Sequence, residues 1–387
     1  MEPLNAMPDQ QSALATRQAD RSLTLITKRT YRIAADEAAE VAGEQIPLLH
    51  DVTLDPERGY LRDDLDLCVQ KHRTDVVVQC AAHAPKGRAV STLEASVSVG
   101  NHSKRILVLG DRCCRYSAGQ LRFEDPEPFE SMPVIYTRAY GGSDEPVRLE
   151  LDERVRALQA YTQLNIRQLN LGMYLRNPVG LGYVIREGEG MDGLRLPNLE
   201  DPDERLTPEN LAVKDANRWY RQPLPACFDW LPYEWFPRCA HLGHTFGAGQ
   251  REDLPRPGDP PIREVRMGLL DPEIFTPKPL LELISDQVTN GASPGLAVPH
   301  LSGDEPVQLV HLDPEHPQFS FRLPGERPRL FVTPLDEDRR ELEPVLLSVI
   351  VHKERNLLSL VWGGRTQTIM PYGPEQKQKV PFEVLWK

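Results

Sequence analysis

ILVLGDRCCRYSAGQLRFEDPEPFESMPVIYTRAYGG, Ile106 to Gly142, is the stretch whose reading decides the fold. Ile106 to Leu109 is a short apolar run stopped by Gly110-Asp111, and Leu121 and Phe123 resume a period-2 pattern before Pro126 and Pro128 hold the chain extended. Val134, Tyr136, Arg138 and Tyr140 alternate with Ile135, Thr137 and Ala139, which predicts a strand with one large aromatic face ended by Gly141-Gly142. These are the signs of successive strands and turns rather than of a catalytic centre.

The same period extends outward. Leu23, Leu25, Thr27, Arg29, Tyr31 and Ile33 alternate with Thr24, Ile26, Lys28 and Arg32, predicting a long first strand with one side more apolar. Asp75 to Cys80 reads as a short valine-rich strand. Leu93, Ala95, Val97 and Val99 face one way and Glu94, Ser96 and Ser98 the other, and the turn after Val99 leads into Ile106 to Leu109 as a hairpin with one wet face. Past the middle of the chain, Val307 to Leu312, Phe319 to Leu323, Leu330 to Thr333, Val345 to Val351 and Leu357 to Trp362 are further strands. Residues 352–356 close the last two into a hairpin.

Two segments break this pattern. From Glu150 to Leu171 the apolar residues Leu151, Val155, Leu158, Tyr161 and Leu164 fall close to helical spacing with no proline between them, which predicts a helix. From Arg176 to about Pro260 the chain is dense in Pro, Gly, Trp and Asn and has little period. The expected fold is therefore mainly β, with antiparallel, sandwich-like N-terminal and C-terminal regions, one helical insert and a long irregular middle. The boundaries are a polar, aperiodic, mobile tail at 1–20, a β domain at 21–145, the insert and irregular segment at 146–260, and a second β region at 261–387.

Bulk composition narrows the function. The net charge of −12 over 387 residues, with no basic block interleaved with aromatics, argues against nucleic-acid binding. No run of about 18 apolar residues and no leader pattern is present, so membrane insertion is not expected and a cytoplasmic protein is. Thirty-six prolines favour extended, loop-rich structure over long helices. Six cysteines in so long a chain read as free thiols.

The catalytic motifs fail on chemistry. Gly291-Ala292-Ser293-Pro294-Gly295 has the letters of a nucleophile elbow, but Pro294 lacks the N–H that would complete an oxyanion hole. Gly188-Glu189-Gly190-Met191-Asp192-Gly193 matches a dinucleotide loop, yet its two acids would repel a pyrophosphate and no helix follows. Cys227, Cys239, His241 and His244 are metal-ligand types, but an 11-residue gap between the cysteines does not fit paired zinc ligands. No metal and no cofactor is expected. Asp111, Asp144, Asp304 and Glu305 sit beside glycine turns, with Arg112 and Arg138 close in sequence, which points to loop-locking ion pairs. Arg138 is expected to be substantially buried against Asp111 or Asp144. Tyr136, Tyr140 and Trp362 could form a binding face, although aromatics at alternating positions usually build core.

The ordered words GDR (Gly110 to Arg112), PEPFESMP (Pro126 to Pro133), YTRAYGG (Tyr136 to Gly142), RNPVGLGY (Arg176 to Tyr183), LPNLEDP (Leu196 to Pro202), WFPR (Trp235 to Arg238), LSGDEPVQL (Leu301 to Leu309), FRLPG (Phe321 to Gly325) and LSLVW (Leu358 to Trp362) carry a resemblance. The chain resembles domain-of-unknown-function family 2169, bacterial proteins whose genes sit beside those of the type VI secretion spike. The resemblance implies a non-enzymatic adaptor or chaperone that binds a secreted effector or its spike-tip, PAAR-like domain and assists its loading. The segment Leu151 to Leu171 and the His-rich run after Trp235 depart from the family pattern. The rival reading is a carboxylate-dependent hydrolase acting on carbohydrate, which two acids facing each other across a cleft at about 5–9 Å would favour.

Overall fold

The computed structural model describes residues 11–17, 21–55, 60–68, 71–150, 153, 172–174, 176–214, 222–232, 289–335 and 337–386. Its principal strands in chain order are Ser12–Arg17 (β1), Ser22–Arg32 (β2), Thr74–Gln79 (β3), Thr92–Val99 (β4), His102–Leu109 (β5), Pro306–Val310 (β6), Gln318–Arg322 (β7), Pro328–Val332 (β8), Arg340–Leu342 (β9), Val345–His352 (β10), Leu357–Gln367 (β11) and Phe382–Trp386 (β12). The fold is mainly β, as the period-2 patterns require. Among the described residues no helix is long and apolar enough to cross a membrane.

A seven-stranded sheet runs β1-β2-β11-β10-β3 and ends on the short strand Ala297–Val298, with the short strand Glu40–Val41 also pairing with β2. A six-stranded sheet runs from Leu199–Glu200 through β5-β4-β6-β7 to Glu37–Ala38. Each sheet mixes strands from both β regions. β2 pairs with β11 over eleven positions, from Ser22↔Gln367 to Arg32↔Leu357, β3 runs parallel to β10, and β6 adds to β4 with Val307 opposite Val99. The regions at 21–145 and 261–387 thus share one architecture. Their apolar side chains, among them Val78, Val97, Leu309, Phe321 and Leu360, belong to a single core cluster.

Two local expectations are corrected. Ser12–Arg17, read as part of a mobile tail, is a strand paired along its whole length with β2; the small Ala13 and Ala15 beside Leu14 give little hydrophobic signal, so edge pairing decides its conformation. β2 is buried almost throughout rather than on one side. Leu23 and Leu25 pack with Leu330, Val332 and Leu342 of the small sheet β9-β8-β12. On the opposite face Lys28 meets Asp66, and Thr30 Oγ1 accepts the Ile46 N–H. A central strand covered on both faces loses the alternation by which it would be recognised.

The β4–β5 hairpin keeps its wet face, with Leu93, Ala95, Val97 and Val99 buried and Thr92 and Glu94 exposed. The β10–β11 hairpin turns through residues 353–356, with Asn356 left-handed at φ 50°. Residues 145–150 and 153 are helical; the rest of the predicted 150–171 helix lies outside the described residues. So does the boundary expected between 260 and 261.

Candidate functional site

The segment expected as a strand bearing Tyr136, Arg138 and Tyr140 on one face is a turn. Arg138 N–H donates to Ile135 O at 3.0 Å and Ala139 N–H to Tyr136 O at 3.1 Å, closing a 3₁₀ turn at Tyr136–Arg138. The alternating letters are genuine, but Asn177 overrides them: its side-chain amide donates to Tyr136 O at 2.8 Å and Tyr140 O at 3.0 Å, spanning the turn. The three side chains therefore go to three different places.

Arg138 donates to Asn198 Oδ1 at 3.0 Å and to Asp111 Oδ1 at 3.4 Å. Asn198 in turn donates to Asp111 Oδ1 at 2.9 Å and Leu109 O at 3.1 Å. The expected partner Asp111 is present, but the burial is not: side-chain exposure is 27% for Arg138 and 54% for Asp111. The deeply buried pair lies one residue along. Arg112 binds Glu200, both nearly sealed from solvent, and Arg205 reaches the other Glu200 oxygen at 3.4 Å. Burial pushes the Glu200 carboxyl up and the Arg112 guanidinium down, each countered by its partner. Glu200 and Asn198 carried no signal in the sequence beyond lying in the word LPNLEDP.

Tyr140 packs edge-on against Tyr174, ring centroids 5.2 Å apart, beside Tyr183. Asp144 accepts the Val147 N–H at 3.3 Å, capping the helix that starts at residue 145, and the Ile185 N–H at 2.8 Å. Glu305 takes the N–H groups of Ser302 and Gly303, and the Asp304 backbone carbonyl receives Arg322 at 2.9 Å. Trp362 is fully buried, with Gly303 at φ +95° lying against its ring. Tyr136, Tyr140 and Trp362 are core residues, so they do not form a binding face. Asp111, Arg112, Arg138, Asp144 and Glu305 tie loops together. The words GDR, YTRAYGG, RNPVGLGY and LPNLEDP, scattered in sequence, close one knot in space.

Ser293, of the elbow-like loop, is buried and accepts from Lys104 Nζ at 2.8 Å and shares a hydrogen bond with Tyr136 OH at 3.0 Å. Lys104 also donates to Pro294 O at 2.6 Å, and burial lowers its ammonium to about 8. A serine sealed at this depth supports a loop rather than attacking a substrate. The preceding residues of the loop serve Asp75, whose carboxylate accepts from Asn290 Nδ2, Gly291 N–H and Ala292 N–H while pairing with Lys71 at 2.6 Å. Cys227 is buried, donates to Val134 O at 3.4 Å, and its thiol is pushed up by burial to about 12. Cys239, His241 and His244 lie outside the described residues.

A cleft marked by no sequence motif holds two side chains whose ionisation is shifted by burial. It occupies about 470 Å³ between Ile46, Leu49 and residues 60–64, the ends of β3 and β10, and Asp229-Trp230. Gln79 Oε1 meets His352 Nδ1 at 2.7 Å, and Gln79 Nε2 donates to Arg62 O at 2.6 Å. Burial, then the Lys28 charge, lowers His352 to about 4 and keeps it neutral. Burial raises the Asp229 carboxyl to about 8; the Trp230 N–H opposes this and the nearby Asp63 charge adds to it.

The architecture defines the chain as a mainly β protein whose loops are locked by charged and polar ties. Residues 18–363 match the family described as "Uncharacterized protein conserved in bacteria (DUF2169)", and the chain belongs to that family. Comparison with curated proteins and with solved structures gives no match.

Proposed function

We propose that this protein is a non-enzymatic cytoplasmic adaptor or chaperone that binds a type VI secretion effector, or its spike-tip PAAR-like domain, and assists loading onto the spike. The observation that carries the reading is the open edge of β12. This strand closes the small sheet β9-β8-β12, and among the described residues no strand pairs with its other side. It presents Phe382 and Leu385 at 39% and 41% exposure. An edge of this kind suits the addition of an extended segment from another protein, in which backbone hydrogen bonds supply affinity and side-chain contacts supply selectivity. The polar residues of the family words are engaged in holding loops, which agrees with a binding scaffold. Deleting the gene in its native bacterium is expected to stop secretion of one cognate effector while other spike cargoes leave normally. Normal secretion of every effector, with no protein co-purifying, would overturn the proposal.

One observation keeps the hydrolase reading alive. Asp63 and Asp229 line the same cleft, and burial raises the Asp229 carboxyl to about 8, the direction a general acid needs. Release of reducing sugar from a panel of bacterial and plant polysaccharides, abolished in Asp229→Asn, would establish that reading.

A further inference from the structure

The adaptor reading, carried by the edge of β12, gives the cleft beside Asp229 no role, and the groups that line it differ in how they are satisfied. Its cations are already held by acids: Lys28 by Asp66 at 2.9 Å, Arg62 by Asp63 at 3.1 Å and Arg355 by Glu44 at 2.9 Å. Asp229 is not. It is 5% exposed, accepts the Trp230 N–H at 2.8 Å, and is also stabilised by the Gln79 side-chain amide. No Lys or Arg pairs with it among the described residues, and the charge acting on it is the like charge of Asp63. Burial of the carboxyl with no Lys or Arg beside it favours the protonated form, because the charge is poorly solvated and unpaired.

Asp64, Glu354, Gln79 and His352 also line the cleft, and one stretch of its wall is apolar and aromatic. Ile46, Leu49, Ile135 and Ile350 line it with Tyr60 and the indole of Trp230. That stretch fits a hydrocarbon stem, and the Asp229 carboxyl fits a cationic head by ion pairing; the Trp230 ring already has Lys71 Nζ 5.7 Å from its centre. A volume of about 470 Å³ admits a long side chain with its first hydration waters.

We propose that this cleft takes an arginine or lysine side chain presented by a protein partner, with the cationic head on Asp229 and the stem along the apolar wall. The source of the side chain rests on the adaptor reading; the chemistry of the cleft does not. As the head arrives, the Asp229 O–H bond breaks, the proton leaves to buffer, and the carboxylate is stabilised by the incoming cation.

The test uses the full chain, with N-acetyl-arginine methylamide as probe and N-acetyl-norleucine methylamide, a stem without a charged head, as control. Calorimetry at pH 7 is expected to show saturable binding of the arginine compound at least tenfold tighter than the control. Repeating it in two buffers of different ionisation enthalpy should reveal release of about one proton per molecule bound, a readout that a merely structural Asp229 would not move. In Asp229→Asn the proton release disappears and affinity falls at least tenfold. The amide matches the protonated carboxyl in shape and keeps an acceptor for the Trp230 N–H, so the fold is retained; the two-buffer comparison on the unsubstituted protein decides the matter even if that variant does not fold. Equal binding of the two compounds, or arginine binding without proton release, overturns the proposal. Binding of the probe together with no effector captured leaves the cleft assignment standing and removes the adaptor reading. Capture of the effector equally by the unsubstituted protein and by Asp229→Asn does the reverse.

Discussion

Asn177 lies directly against Gly141: its backbone oxygen is 2.1 Å from where a β-carbon on Gly141 would stand. The same asparagine spans the Tyr136–Tyr140 turn through its side chain. Gly141 also has φ +150°, a conformation that L side chains rarely adopt. This contact joins the words YTRAYGG and RNPVGLGY, whose short strands Tyr140–Gly141 and Leu181–Gly182 then pair in parallel. Gly141→Ala meets both the backbone strain and the clash, and is expected to cost about 3 kcal/mol. Thermal unfolding should shift down by several degrees, whereas Gly119→Ala, at φ +76° with no atom within 4 Å, carries the strain without the clash and should cost less.

Lys28 and Asp66 provide a second test, because both side chains are at most 2% exposed and lie 2.9 Å apart. Asp66 also accepts the Leu49 N–H at 2.7 Å, so it ties Leu49 to the face of the seven-stranded sheet that bears Lys28. Burial raises its carboxyl, and the Lys28 charge counters that. Asp66→Ala strands the ammonium and should cost about 3–5 kcal/mol by chemical denaturation. The double variant Lys28→Met with Asp66→Leu removes both charges and is expected to recover much of that loss.

What could be read from the chain follows from how far each signal reaches. Leu93 to Val99 and Val345 to Val351 announce themselves because each strand's own residues carry the pattern. The pairing of Ser22 with Gln367 does not, since nothing local records which strand a buried neighbour will meet. The loop-locking of Asp111 and Asp144 was legible from residue type and glycine context, while Asn177, Asn198 and Glu200 were not: a lone amide or acid in an irregular segment looks the same whether it spans a turn or faces water. Asp229 is the extreme case. Its chemistry is produced by burial beneath residues distant in sequence, so Phe228-Asp229-Trp230 has no pattern from which the cleft could be read.

The acid–base behaviour of Asp229 gives a prediction independent of any ligand. Its folded carboxyl titrates at about 8, against an ordinary value of 3.8. Between those values the folded state holds a proton that the unfolded chain has lost, so stability falls as pH rises through that window. His352, lowered from 6.5 to about 4, acts in the opposite sense only below 6.5, where the unfolded chain gains a proton first. From pH 6.5 to 8 the Asp229 contribution therefore stands clear of the His352 one, at a limiting slope of about 1.4 kcal/mol per pH unit. Asp229→Asn should flatten the pH dependence of denaturation midpoints across this range and be relatively more stable than the unsubstituted protein at pH 8. An unchanged slope would mean that the carboxyl is already ionised in the folded state.

The strand β12 allows recognition to be separated from folding. On the outer side of its sheet, Phe331 is flanked by Arg329 and Arg339, 4.9 and 4.1 Å from its ring centre, and these pair with Glu341 and Glu383. That arrangement fills the sheet's face with charge and leaves the edge as the place for an extended partner segment. Leu385 is 41% exposed, so Leu385→Lys should change stability by no more than about 0.5 kcal/mol. Natural edge strands use lysine to discourage pairing, and here it would oppose strand addition in the same way. Binding of the cognate effector, measured by calorimetry once that effector is in hand, is expected to weaken about tenfold, with dissociation accelerated more than association is slowed. Retained affinity in Leu385→Lys and Phe382→Lys, with melting curves unchanged, would move the recognition surface away from this edge.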